Sequence, residues 1–298
     1  MKLPCSTALV LIGGFATSQA STILDSVSAP GVTAQMYRDE ATLYPSVGKV
    51  TGSLYNGSGV LISDRWVLTA GHISLYKKGG TFAIGGSNYT IDSVITHPQM
   101  SGSSYDLGLL YLSTSVTTTA AATMIRFASP ADILGKEATW VGHGFTGTGL
   151  TGAISPIEFR AFTNIIDVIG SHPDYQLPAT SFVSDFDKPD GSTNAPTSSP
   201  TATRLEGSVA SGDSGGGVFV TVDGNRYLIG INSYQAGFTL ASQNSKYGNL
   251  SGAVNLDLFY PWITEKTGIF AIPEPGCGWI CWLAAAGFVL RRQRSSRP

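Results

Sequence analysis

The sequence predicts an all-β protein built from short strands. Charged residues make up only 13% of the chain, whereas glycine alone accounts for 36 of 298 residues. That composition suits turns and sheets better than a helical bundle. Runs of β-branched and aromatic residues also alternate with Gly, Ser, Asn and Pro. Such runs fall at residues 60–62, Trp66–Thr69, 107–112, 139–141, Gly217–Val222 and 227–231. Short strands between turn residues point to a β-barrel or sandwich. One helix is expected near the end of the body, over residues 256–266. Residues 185–203, DFDKPDGSTNAPTSSPTAT, read as an exposed polar loop. Asp185, Asp187 and Asp190 in that loop offer calcium-binding chemistry, but their spacing does not match an EF-hand loop. No repeat of fixed period is present.

The two ends read as address segments. Residues 1–20 have a positive Lys2, an apolar stretch over residues 8–15, and small residues in Ser18-Gln19-Ala20. That order is expected of a secretory signal peptide, with a buried first strand as the bland alternative. At the other end, Pro273-Glu274-Pro275 precedes an apolar run over residues 276–290, then Arg291-Arg292-Gln293-Arg294. The apolar run is short for a bilayer span, which takes about 20 residues. Proline-glutamate-proline, a short hydrophobic segment and an arginine block together resemble the PEP-CTERM sorting signal. The resemblance implies export, transient membrane association and removal of the tail by an exosortase; a permanent C-terminal anchor is the alternative. The expected organisation is therefore 1–20 signal peptide, 21–272 functional body and 273–298 sorting segment.

Without these ends the body keeps 13 basic and 19 acidic side chains, a net charge of −6. A mildly acidic body carries no basic face for nucleic acid. Cys5, Cys277 and Cys281 all lie in the end segments, so the body has neither a disulfide nor a cysteine metal site.

Three short motifs in the body carry chemistry. A serine hydroxyl becomes a good nucleophile when a base takes its proton during attack. Imidazole suits that task because its pKa lies near operating pH, and a buried carboxylate can orient it. Ser214 lies in Gly212-Asp213-Ser214-Gly215-Gly216, where glycines allow a sharp turn and close approach of substrate. His72 ends the apolar run Trp66-Val67-Leu68-Thr69-Ala70-Gly71-His72. Asp106 opens another in Tyr105-Asp106-Leu107-Gly108-Leu109-Leu110. A carboxylate at the mouth of an apolar strand is costly to bury unless paired, and the His72 ring is the expected partner. The other histidines carry less. His97 and His172 each precede a proline and read as loop residues; His143, in Val141-Gly142-His143-Gly144-Phe145, reads as structural.

These motifs resemble those of the chymotrypsin-like (trypsin-like) serine proteases, in the same order of His, Asp, Ser. Gly57-Ser58-Gly59-Val60-Leu61-Ile62-Ser63 resembles the strand before the histidine in that family. Gly230-Ile231-Asn232-Ser233-Tyr234 resembles its substrate-pairing strand, and Trp262-Ile263 its last helix. The resemblance spans roughly residues 45–265. It implies two six-stranded antiparallel β-barrels with the active site between them, a C-terminal helix, and hydrolysis of protein or peptide substrates through an acyl-enzyme without a cofactor. It further implies an oxyanion hole from the N–H groups of Gly212 and Ser214. Ser208 is then expected at the base of the primary pocket, with Ser233, Tyr234 and Gln235 along its side. Without a carboxylate at Ser208, cleavage after apolar or small residues is expected rather than after Lys or Arg.

The chain departs from the family in several places, Gly71 standing for the commoner second alanine among them. Ile73 replaces a common cysteine, so packing must hold the histidine loop. No propeptide cleavage sequence is evident either, although a start at Met36 would fit the alignment. Asp213 matches the carboxylate that pairs with a new N-terminal amine in many relatives, and Arg38 is expected to pair with it instead. A non-catalytic surface binding module of the same fold is the alternative function. A matrix protein is a further one, resting on the tail alone.

Overall fold

The computed structural model describes residues 21–172, 176–193, 199, 201–237 and 244–274. The expected signal peptide, 1–20, and the expected sorting segment beyond Glu274 lie outside the described residues.

Strand β1 (Thr22–Ile23) opens the described chain and helix α1 (Ala34–Ala41) follows. Six strands then close into a barrel. They are β2 (Val47–Thr51), β3 (Gly57–Leu61), β4 (Trp66–Thr69), β5 (Thr81–Ile84), β6 (Ser87–Thr96) and β7 (Gly108–Leu112), in the order β2-β3-β4-β7-β6-β5. The one-turn helix α2 (Gly71–Ser74) lies between β4 and β5. Val50, Val60, Leu68, Phe82, Ile91 and Leu109 are fully buried and fill the barrel. Closure leaves no free strand edge, so every barrel strand spends its backbone donors and acceptors on neighbours.

The second half holds nine strands in one sheet system. Six are long: β9 (Glu137–Thr148), β10 (Gly152–Ile165), β12 (Ser181–Asp185), β14 (Gly217–Val222), β15 (Asn225–Ala236) and β16 (Leu250–Asn255). β1, β11 (Val168–Ile169) and β13 (Gly207–Ser208) add two residues each. The expectation of six strands per half thus holds for the long strands, and short ones extend the second set. Its core is aromatic. Trp140 stacks on Phe162 with ring centroids 5.9 Å apart, and Phe182 is set edge-on at 5.7 Å. A short strand β8 (Ile125–Arg126) pairs with β17 (Ile272–Pro273) at the end of the described chain.

The halves share one apolar junction. Phe219, Leu228, Ile231 and Val254 of the second sheet join the first barrel's core, and Tyr44 meets Phe219 with ring centroids 4.8 Å apart. Helix α3 (Tyr260–Thr267) ends on Gly268 in the left-handed region (φ 73°), a conformation that favours glycine. Its Ile263, with Phe259 and Tyr260, packs into the first-barrel core.

One expectation changes. The polar run at 185–203 does not begin as an exposed loop: Asp185 ends β12, and Asp185, Phe186 and Asp187 are all buried. The reason is Phe186, whose ring packs with Leu24, Ala29 and Tyr247 and draws its neighbours inward. His97 lies just past the end of β6, in a loop as expected, but not on the surface. It is buried and stacks on Tyr105 at 5.3 Å, with Phe259 and Trp262 against it.

Candidate active site

The register of the first barrel places the first two residues. β4 and β7 run antiparallel with Thr69 opposite Gly108, so the chain just after β4 meets the chain just before β7. His72 lies three residues past Thr69, and Asp106 two before Gly108. Asp106 is 1% exposed. Its Oδ1 accepts from the His72 backbone N–H at 2.8 Å, and its Oδ2 from His72 Nδ1 at 2.8 Å. The Ser233 hydroxyl donates to Oδ2 at 2.5 Å. Three donors therefore offset the desolvation of a buried carboxylate. Donation from Nδ1 makes Nε2 the basic nitrogen of the ring. Tyr105 holds the turn in a left-handed conformation (φ 53°) on its aromatic neighbours His97 and Phe259.

The turn carrying Ser214 is seated on the same strand end. The Ser58 N–H donates to Ser214 O at 2.8 Å, and Gly215 N–H to Asn232 O at 2.8 Å. At Gly215 (φ 87°) an added Cβ would stand 2.1 Å from Ser58 O and 2.2 Å from Thr69 Oγ1. Only glycine permits that approach, which brings the Ser214 turn against Thr69-Ala70, just before His72. Gly212 is also left-handed (φ 97°). Among the described residues, the N–H groups of Gly212 and Ser214 have no acceptor. Ser58, buried on β3, spans the turn: its hydroxyl donates to Gly212 O at 2.9 Å and accepts from His143 N–H at 2.8 Å.

Against this geometry the comparisons are specific. The family model described as Trypsin matches residues 39–263, well over half of the chain. The chain belongs to the trypsin family. Among solved structures it is similar to the secreted serine protease VesC from Vibrio cholerae, at 16% identity and a TM-score of 0.53. The match covers 76% of this chain and 47% of that one, so this chain spans about half the length of VesC. At that identity the likeness speaks to fold. No curated protein sequence matches.

The residues expected along the substrate pocket of this trypsin-family chain divide in role. Ser208 is fully buried on β13, and its hydroxyl meets that of Ser251 at 3.0 Å. Ser251 also accepts from Val209 N–H at 3.0 Å. Ser251 lies opposite Gln235 in the β15–β16 register, so it joins Ser208 to the half-buried Gln235. Tyr234 packs its ring on Gly252 and bonds the Ser181 hydroxyl at 2.8 Å. Ser233 turns its hydroxyl to Asp106, not to the pocket. Sequence reading missed Ser58 and Ser251, because one serine in a glycine-rich strand and another in a small-residue strand carry no signal of their own.

A cleft beside Gly212 is walled by Leu54, Tyr55, Phe145 and Ile157, with Lys49 and His143 in it. His143 stacks on Phe159 at 4.3 Å. Burial, with the Lys49 charge, pushes its pKa down to about 4, so it stays neutral at neutral pH.

The pairing expected between Arg38 and Asp213 is absent. Arg38 sits on α1, and its guanidinium binds Glu158 at 3.0 Å and Gln35. The helix aims it along β10, where Glu158 also takes Arg160 at 2.8 Å. Asp213 is 1% exposed, and its Oδ2 accepts from the Ser21 hydroxyl at 2.7 Å and Ala210 N–H at 3.1 Å.

The histidine loop is held by more than packing. Ile73 covers Gly57 across the loop, where an added Cβ would come 2.8 Å from Ile73 Cδ1. Buried Lys77 donates from Nζ to Ser53 O at 2.7 Å and to Tyr55 O. Among the described residues no three His, Cys, Asp or Glu side chains converge to hold a metal.

Proposed function

We propose that this chain is an exported serine endopeptidase with His72, Asp106 and Ser214 as its triad. The observation that carries the reading is the threefold engagement of Asp106, which orients the His72 ring. Ser214 Oγ attacks the scissile carbonyl carbon while His72 Nε2 takes its proton. The Gly212 and Ser214 N–H groups hold the negative oxygen of the tetrahedral intermediate. Collapse breaks the C–N bond as the imidazolium returns the proton to the leaving amine. Water then hydrolyses the acyl ester by the same steps, and no cofactor enters.

The preference for apolar or small residues before the cut rests on Ser208 and Ser251. Their hydroxyls bond each other, and neither contacts a carboxylate among the described residues. The export signal, transient membrane association and exosortase processing belong to the same reading and rest on the end motifs. Among the described residues no helix is long and apolar enough to cross a membrane. Digestion of a peptide library by the purified protein tests activity and preference together. Cleavage after apolar or small residues supports the reading; predominant cleavage after Lys or Arg contradicts the preference. No cleavage favours the non-catalytic binding module.

A further inference from the structure

Three exposed large apolar side chains gather at one place. Leu54, Tyr55 and Ile157 are 67%, 44% and 42% exposed, and together they wall the cleft beside Gly212. Single apolar residues on a surface are ordinary, whereas a set that converges beside a reactive turn offers a binding surface. The backbone holds them there. Leu54 is left-handed (φ 62°), an uncommon conformation for a bulky residue. Buried Lys77 grips the carbonyls on both sides of it, Ser53 O at 2.7 Å and Tyr55 O. Ile157 follows an irregularity in the β9–β10 register.

The cleft carries one charged side chain among its described lining residues, Lys49. Lys49 on β2 lies directly opposite Ser58 on β3, and residues paired in this way share a face of the sheet. The Ser58 hydroxyl reaches Gly212 O, so Lys49 stands on the face that meets the Ser214 turn. Among the described residues its amine has no carboxylate within salt-bridge distance. Glu158, next to Ile157, is already taken by Arg38 and Arg160. His143 adds no charge, since burial, helped by Lys49, holds its pKa at about 4. A cation with apolar walls around it is complementary to a carboxylate on a partly apolar chain.

The cleft and the primary pocket stand on different elements. Ser208, Gln235 and Ser251 lie on β13, β15 and β16, whereas the cleft is built from β2, residues 54–56, β9 and β10. Gly212, a proposed oxyanion donor, lies at the edge of the cleft. A substrate whose acyl side fills the pocket therefore passes its leaving side over Gly212 into the cleft. One strand spacing, about 5 Å, separates Lys49 from Ser58, and an extended chain advances about 3.4 Å per residue. The amine is thus in reach of about the second or third residue after the cut.

We propose that this cleft binds the leaving side of the substrate and that Lys49 selects an acidic side chain there. The enzyme then reads both sides of the bond: a small or apolar residue before it and a carboxylate beyond it. Lys49 is a specificity-determining residue and takes no part in the bond-breaking steps. This rests on the protease reading above.

The test uses the full chain and peptides that share one acyl side, taken from the library digest. Glu, Gln or Lys is placed at the second or the third residue after the cut. A thioester with the same acyl side and no leaving-side residues is measured alongside. Wild type is expected to cleave the better Glu peptide about fivefold to tenfold faster in kcat/KM than its Gln counterpart, the scale of an ion pair in a half-open cleft. Lys should be disfavoured against Gln. Lys49→Gln should bring the Glu-to-Gln ratio to within about twofold of unity, and Lys49→Glu should favour Lys over Glu. Each preference is a ratio within one variant, so a general loss of stability or turnover cancels. Added salt should shrink the wild-type preference, as an ion pair requires. Thioester hydrolysis with Glu peptides cut no faster than Gln peptides would overturn the inference and leave the protease reading intact. So would a Glu preference that survives Lys49→Gln. If wild type hydrolyses neither thioester nor peptide and takes no fluorophosphonate label, both fall.

Discussion

Ser58→Ala probes how the oxyanion turn is held. The substitution removes one oxygen from a fully buried site on β3. That oxygen makes two hydrogen bonds, to Gly212 O at 2.9 Å and from His143 N–H at 2.8 Å. Both backbone groups lose a partner, and each buried orphan costs about 1–3 kcal/mol. The alanine removes the hydroxyl's own desolvation cost, so a net loss of about 2–4 kcal/mol in stability is expected. The Gly212 carbonyl belongs to the peptide between the two proposed oxyanion donors, so freeing it loosens both. Deleting one such donor outright costs about 100- to 1,000-fold in kcat. Loosening should cost less, about 10- to 100-fold, with KM nearly unchanged because the ground-state carbonyl leans little on these groups. Steady-state kinetics on a peptide from the library digest, with thermal unfolding alongside, measures both effects. A variant with wild-type kcat would refute the argument that Ser58 organises this turn. So would one whose loss lies wholly in KM.

Other perturbations separate parts of the account. Ile73→Ala opens a cavity over Gly57 and should lower stability by about 2–5 kcal/mol, seen as a reduced unfolding midpoint. Arg38→Met should leave turnover within about twofold, since a half-exposed ion pair contributes little and Asp213 is held elsewhere; a sharp loss would restore the Arg38–Asp213 pairing. Unfolding followed against pH should show greatest stability near pH 4 and a fall from there towards pH 8. Burial first, with the Asp185 charge, raises Asp167 to about 7 and Asp187 to about 8. Their protons are bound in the folded state and released on unfolding above pH 4, so stability is lost as pH rises through 7 and 8. Burial also tends to raise Asp25, but hydrogen bonds from Ser28, Tyr247 and Val27 outweigh it and hold the group at about 2. Its contribution is lost as pH falls below 4. A midpoint still rising between pH 6 and 8 would contradict the buried-acid assignment.

Several elements are written in local pattern. Trp66–Thr69 and Gly217–Val222 are strands at the bounds that their apolar runs suggest, and the terminal helix lies within one residue of its expected end. Strand β6 was harder to see because Ser87–Thr96 is mostly polar and only partly buried, so its sequence looks like a loop. The β10 strand hides for a related reason: residues 154–157 are exposed and include a proline. His72, Asp106 and Ser214 stand out because each interrupts an apolar or glycine-rich run. Ser58, Ser251 and Ser21 do not, since their importance comes from partners far along the chain. Arg38 was misassigned for the same reason: charge alone favours Asp213 as its partner, and only the placement of α1 on β10 delivers it to Glu158.

The central claim is an activated serine at position 214. Intact-mass and peptide-mapping analysis of the chain beginning at Ser21, after treatment with a fluorophosphonate, tests it most directly. One adduct on Ser214, lost in Ser214→Ala and in His72→Ala, is the predicted result. A chain that stays unlabelled while folded, or that carries the adduct on another residue, would contradict the account.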